Sequence, residues 1–246
     1  MPDAYDTIGV NYGRRRKSDP RIAALIDGAL GDARTVLNVG AGAGSYEPAS
    51  RSVVALEPSL EMIRQRPASA APVVRGSVEN LPFEDEAFDA AMAVNTVHHW
   101  SDKAQGFSEI RRVTRGRIVI FTSDPDYRQM WLLDYFPGLA DLDAGQMPAL
   151  SDYEAWLGPT QVFPVPVPHY CMDGFLYAYW RRPEAYLDPD VRAAMSSFHA
   201  LGDVSAGLRR LEADLQNGRW EERYGSVLTL DANDVGYRLL VALCQV

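Results

Sequence analysis

VLNVGAGAG, residues 36–44, reads as a short apolar strand that runs directly into a glycine turn. Val36 to Val39 form a branched, apolar run bounded by Gly40, the pattern of a strand covered on both faces. Gly40, Gly42 and Gly44 allow a sharp turn and let a ligand approach without a Cβ in the way. Three further segments have the same character: VVALEPS at 53–59, VVRGSVENLPF at 73–83 and FDAAMAVNTVHHW at 88–100. In an open parallel sheet, ligands bind outside the carboxyl ends of the strands, where strand order reverses. All four segments end there, so together they predict a nucleotide-type pocket.

The spacing narrows the kind of nucleotide. Glu57 closes the second strand, 17 residues after Gly40, where a carboxylate can accept hydrogen bonds from two ribose hydroxyls. A dinucleotide turn, GxGxxG, needs glycine at 45 or 47, where Ser45 and Glu47 stand. No GK[ST] follows, so a phosphate cradle of the Walker type is unsupported.

Around these segments, strands alternate with helical stretches, which argues for a parallel sheet with helices on both faces. Asp19 and Pro20 start a helix with Ile22, Leu25, Ile26 and Ala29 on one face and Gly31 as stop. Pro58 and Ser59 start another that runs to about Arg66, and Ser101 or Asp102 caps one that ends near Val113. Arg117 to Phe121 is a fifth strand. Pro164, Pro166 and Pro168 recur with period two, so their missing donors face one side, which suits an edge strand paired through Phe163, Val165 and Val167. The run Val235 to Leu243 is its natural partner. The expected organisation is a ligand-binding core at 1–122, a lid insert at 123–160, an edge strand at 161–168, a second helical lid at 169–233 and a last strand at 234–246. The second lid holds an aromatic helix candidate with Phe175, Leu176, Tyr179 and Trp180 at helical spacing.

Composition bounds the partners. With 24 Lys+Arg against 33 Asp+Glu, the net charge of −9 lacks the basic footprint of phosphate-backbone binding, so no nucleic acid is expected. No apolar run reaches the length of a membrane span and no signal region opens the chain; two cysteines, Cys171 and Cys244, suit reduced thiols. A cytoplasmic protein of 246 residues, acting on a small molecule and without a membrane partner, is the expectation; oligomeric state is open.

Taken together, the four segments resemble the class I S-adenosylmethionine-dependent methyltransferases, in particular the small-molecule branch related to ubiquinone and menaquinone biosynthesis. The resemblance covers about residues 5–122, with a looser match in the closing strands. It implies a Rossmann-like, doubly wound α/β fold: a mostly parallel seven-stranded sheet with an antiparallel last strand and a helical lid. It implies S-adenosyl-L-methionine as cofactor, with Gly40, Ala41 and Gly42 around its methionine part, Glu57 on its ribose, and Pro58, Met62, Ser77 and Val78 beside its adenine. Asn95 would line the floor near the sulfonium and Tyr12 would close over the cofactor. The sequence departs from the pattern in two places: Asn38 stands where the family usually has an acid, and Ser77 where it has an aspartate. Asn38 can still accept a hydrogen bond but cannot offset an ammonium charge. The connection from Gly44 to Val53 is also short and holds Pro48, which leaves room for about one helical turn.

Methyl transfer from a sulfonium is an in-line displacement that needs chiefly placement and exclusion of water. His98 and His99 follow the fourth strand and are the candidate bases for a protic acceptor; the bland reading is that they orient the chain. No third ligand in register supports a metal. Arg14 to Arg16 are candidates to meet a substrate carboxylate, and His169, Tyr170 and Asp173 either reach the substrate or fix a turn. The leading expectation is methyl transfer to oxygen, nitrogen or carbon of a small, partly apolar metabolite. The alternatives are a cofactor-binding protein with no transfer or another reaction on this scaffold and, more remotely, an NAD(P)-dependent oxidoreductase.

Overall fold

Asp19 and Pro20 open the first helix of the structure, a computed structural model that describes residues 16–244. The Asp19 carboxylate accepts from the Arg21 amide at 3.0 Å and caps α1, Pro20–Ala29. Ile22, Ile26 and Leu30 form the inward stripe, each 1% exposed, whereas Leu25, expected on that face, is 47% exposed. At 3.6 residues per turn Leu25 lies roughly 100° from the centre of that stripe.

The chain continues through β1 Thr35–Val39, β2 Ser52–Glu57, α2 Leu60–Arg64, β3 Val73–Arg75, β4 Phe88–Val94, α3 Lys103–Val113 and β5 Thr114–Ser123. Asp102 caps α3 through the Gln105 amide. Then come α4 Leu132–Tyr135, α5 Gly138–Gln146, α6 Leu150–Leu157, β6 Thr160–Pro164, β7 Val167–Pro168, α7 Pro189–Ala193, α8 Ser196–Ala200, α9 Ser205–Gln216, α10 Arg219–Tyr224, β8 Ala232–Asn233 and β9 Tyr237–Leu243.

Seven strands form one sheet in the order β3-β2-β1-β4-β5-β9-β6. The pairs among β1 to β5 are parallel, and β9 lies antiparallel between β5 and β6. This is the Rossmann-like fold expected, with the switch point between β1 and β4. Strand β6 is an edge: Val162 to Pro164 pair with Leu240 to Arg238, and the Val165 amide donates to Tyr237 O at 2.9 Å. The strand leaves the main sheet after that, and Val167–Pro168 pair instead with Ala232–Asn233.

Two local expectations are corrected. No helix joins β1 to β2, because φ is positive at Gly40, Gly42, Gly44 and Tyr46, the conformation opposite to a right-handed helix. Tyr46 turns inward instead and packs near Phe121. The aromatic stretch from Phe175 to Trp180 is a series of turns, not a helix. Phe175, Leu176, Tyr177 and Trp180 are all buried, and burial of three consecutive side chains is not the single stripe of an amphipathic helix.

Each sheet face has its own core. Val78, Trp100, Phe107, Tyr153 and Leu157 build one around α3 and α6. The other joins α1, Tyr46, Met92 and Phe121 to the aromatic residues of the two inserts. Trp131 meets Tyr135, Tyr186 and Trp220 edge-on, and its indole N–H donates to Trp180 O at 2.7 Å. The inserts are thereby packed onto the sheet face beside the strand ends.

Candidate functional site

At the end of β1, the chain turns so tightly against β4 that a Cβ on Gly40 would lie 2.0 Å from Thr96 Oγ1. The turn then brings the Gly42 amide to Glu57 Oε2 at 2.7 Å, while Glu57 Oε1 accepts from the Ser59 amide at 2.9 Å. Two backbone donors from different loops therefore hold this buried carboxylate. On the β4 side, Asn95 takes φ +50 and its amide donates to Phe121 O.

These strand ends enclose a cavity of about 600 Å³. Of the residues singled out from sequence, Asn38, Gly40, Ala41, Gly42, Glu57, Pro58, Met62, Ser77, Val78, Asn95 and His99 line it. Tyr12 lies outside the described residues, as do Arg14 and Arg15. His98 turns into a different cavity.

At both departures, a nearby acid that sequence reasoning passed over meets the substituted residue. Asn38, 1% exposed, donates to Glu47 Oε1 at 3.2 Å. The same oxygen accepts from Arg66 Nη2 at 2.7 Å, and Glu47 Oε2 accepts from the Ala71 amide. Arg66 also donates to the carbonyls of Gly42 and Ala71, so it fastens the glycine turn. Ser77 donates to Glu79, whose other oxygen accepts from Ser101 Oγ at 2.8 Å and from the amides of Ser101 and Asp102. Partial burial raises the Glu79 carboxyl, but the Ser101 and amide hydrogen bonds outweigh it and hold the group below its usual range. Glu79 lines the cavity beside Ser77. Its spacing, Ser-x-Glu next to a glycine, was the available signal; for Glu47 there was none, since its partner Arg66 is 19 residues away.

A second, smaller cavity of about 60 Å³ lies toward the inserts, with His98, Ser123, Asp143, Phe175, Leu176, Tyr177 and Tyr237 among its walls. Arg16 and Asn95 line both cavities. Arg16 is ion-paired with Asp173, itself 1% exposed, and Asp173 Oδ2 also accepts from Tyr46 Oη at 2.9 Å. Burial, helped by the charges of His99, Lys103 and Arg16, holds the His98 imidazole well below its usual range. None of His169, Tyr170 and Asp173 lines either cavity: Asp173 meets the site only through Arg16 and Tyr46, His169 bonds the Asp231 carbonyl and Tyr170 is 69% exposed. Trp131 and Tyr135 belong to the core.

A family model described as a methyltransferase domain matches residues 37–120. A solved structure, a putative methyltransferase from an antibiotic biosynthesis pathway of Anabaena variabilis, is 35% identical, with a TM-score of 0.84 over 93% of this chain and 98% of that one. An uncharacterized methyltransferase of Mycobacterium tuberculosis is 35% identical over 130 residues, 49% of this chain and 52% of the relative. Demethylmenaquinone methyltransferase of Thermobifida fusca is 31% identical over 135 residues, 49% of this chain and 56% of that one. The chain spans about half the length of the curated relatives it matches. The chain belongs to the class I S-adenosylmethionine-dependent methyltransferases, and the cofactor of that family is S-adenosylmethionine.

The residues present fit that cofactor. The buried Glu57 carboxylate borders the cavity, the apolar Met62 and Val78 stand on its walls with Ser77, and the glycine turn presents backbone with no Cβ beside Glu57. The volume of about 600 Å³ is within the range of ligand pockets.

Proposed function

We propose that this protein transfers a methyl group from S-adenosylmethionine to a small, partly apolar metabolite that enters through the second cavity. The observation that carries this reading is the sharing of Arg16 and Asn95 by the two cavities. A donor on one side and an acceptor on the other meet at those two residues.

In this reading, Glu57 holds the ribose hydroxyls, Met62, Pro58, Ser77 and Val78 flank the adenine, and the turn from Gly40 to Gly42 with Asn38 takes the methionine end. The bound cofactor supplies a methyl group already activated by its sulfonium. The chain's part is to align the acceptor with it and to exclude water. Phe175, Leu176, Tyr177 and Tyr237 give the acceptor side an apolar, aromatic wall that faces polar residues such as Ser123, Ser196 and Ser197. His98, neutral through the physiological range by its burial, takes the proton from a protic oxygen or nitrogen acceptor. His99, on the cofactor side, orients the turn after β4. A net charge of −9 favours a small-molecule partner over nucleic acid, and we take the protein to act in the cytoplasm. No helix among the described residues is long and apolar enough to cross a membrane.

Calorimetry with S-adenosylmethionine and S-adenosylhomocysteine tests the cofactor half; binding of neither ligand at millimolar concentration overturns the proposal. Transfer of a labelled methyl group to compounds in a small-molecule extract tests the other half.

A further inference from the structure

We infer that the acceptor cavity is built for an amine that binds as its ammonium on Asp143 and gives one proton to His98, on the same cavity wall, before its freed lone pair takes the methyl group; this rests on the methyl-transfer reading above. Asp143 belongs to α5, in the first insert, and is 7% exposed. Its side chain lines the second cavity together with His98 and the rings of Phe175, Tyr177 and Tyr237.

The carboxylate is only half satisfied by the protein. Asp143 Oδ2 accepts from Tyr177 Oη at 3.1 Å, and among the described residues no hydrogen bond reaches Oδ1 and no cation forms an ion pair with the group. Arg128 is exposed and acts on Asp143 only at a distance. Arg16, the cation in the cavity wall, is already held by Asp173. Burial accordingly pushes the Asp143 carboxyl above its usual range, against the pull of Tyr177 and Arg128.

An uncompensated buried carboxylate is costly, and a neutral donor relieves only part of that cost. A cationic ligand supplies both the hydrogen bond and the charge. The aromatic walls suit it as well, since ring faces attract an ammonium. An anionic acceptor is disfavoured, because among the described residues that line this cavity the one cation, Arg16, is already paired with Asp173. Asp143 is therefore the specificity-determining residue of the acceptor site, and the compounds it selects are small primary or secondary amines with an apolar body.

The test uses the whole protein saturated with S-adenosylhomocysteine. A panel of primary amines running from methylamine through 2-phenylethylamine to tryptamine is titrated by calorimetry, each beside the alcohol of the same shape. At least one amine should bind about tenfold more tightly than its alcohol, the scale of a charge-assisted contact. Asp143→Asn should abolish that preference while S-adenosylhomocysteine affinity is kept, and Tyr177→Phe should keep the preference because the carboxylate remains. If no amine outcompetes its alcohol, or if the preference survives in D143N, the inference is wrong. Failure of S-adenosylhomocysteine itself to bind is a different result, which overturns the cofactor reading instead.

Discussion

Tyr46 and Asp173, 127 residues apart, meet through a hydrogen bond of 2.9 Å in the interior. Tyr46 belongs to the glycine turn and Asp173 to the segment after β7, so the bond ties the lining of the larger cavity directly to that distant segment. Burial and the neighbouring Asp173 charge push the Tyr46 phenol far above its usual range, so it acts as a donor at every working pH. Tyr46→Phe leaves one oxygen of a buried carboxylate without that donor. The expected cost is about 1–3 kcal/mol, or a fall in Tm of several degrees by calorimetry at roughly 2–4 °C per kcal/mol. An unchanged Tm would mean that the bond contributes nothing net.

Glu57 is held by the Gly42 and Ser59 amides, so it is in place before any ligand arrives. Glu57→Gln can accept only one of those bonds and offers an amide where ribose hydroxyls need an acceptor. S-Adenosylmethionine affinity should fall by about 10- to 100-fold, the scale of 1.5–3 kcal/mol for hydrogen bonds to a charged group. Titration calorimetry checks it, and a loss below twofold would remove Glu57 from the ribose site.

Arg66 and Glu47 form a buried pair at 2.7 Å with side-chain exposures of 5% and 8%. Arg66→Met strands the Glu47 charge and frees the Gly42 carbonyl, and should cost about 3–5 kcal/mol in urea denaturation. Adding Glu47→Gln removes the stranded charge. The double variant should therefore be more stable than R66M alone; equal or lower stability would show that Arg66 acts through its carbonyl contacts and not through Glu47.

Asp19 is fully buried, and burial alone would raise its carboxyl. The Arg21 side chain and the amides of Met172 and Arg21 outweigh that and lower it from 3.8 to about 2. A depressed folded value means that the unfolded chain binds the proton first. The stabilisation, on the order of 2 kcal/mol, is complete above about pH 4 and is lost as pH falls through about 2. Asp19→Asn should flatten stability across that acid window while also lowering it at pH 7. A wild-type slope retained by D19N would assign the acid transition to other carboxylates.

His98 has the same sign of linkage, in a higher pH window. Its imidazole stays neutral well below pH 6.5 in the folded protein, whereas the unfolded chain takes up a proton near that value. Acidification below about pH 6.5 therefore costs stability at this residue. NMR titration of the four histidines, with the His98 signal assigned by its loss in His98→Gln, should show one imidazole that does not titrate between about pH 8 and 6. A midpoint near 6.5 for His98 would contradict its burial.

The sequence by itself determined the strand ends that enclose the larger cavity. Strand ends, glycine turn and the Glu57 carboxylate are local: Val36 to Gly44 and Val53 to Ser59 carry their own periodicity and breakers, and parallel strands bring such ends to one edge. The edge position of β6 was legible for the same reason, since Pro164 cannot donate on its outer side.

Only the tertiary structure decided the second cavity and the network behind it. Arg16 with Asp173, Tyr177 with Asp143 and Asn38 with Glu47 are pairs whose meaning lies in contact across 157, 34 and 9 residues. The stretch from Phe175 to Trp180 carried helical spacing, yet burial on several sides held it in turns. Periodicity reports which residues want to leave water; what they meet once there depends on chain segments far away in sequence, and that is where Asp143, on the wall of the second cavity, keeps one oxygen without a hydrogen bond among the described residues.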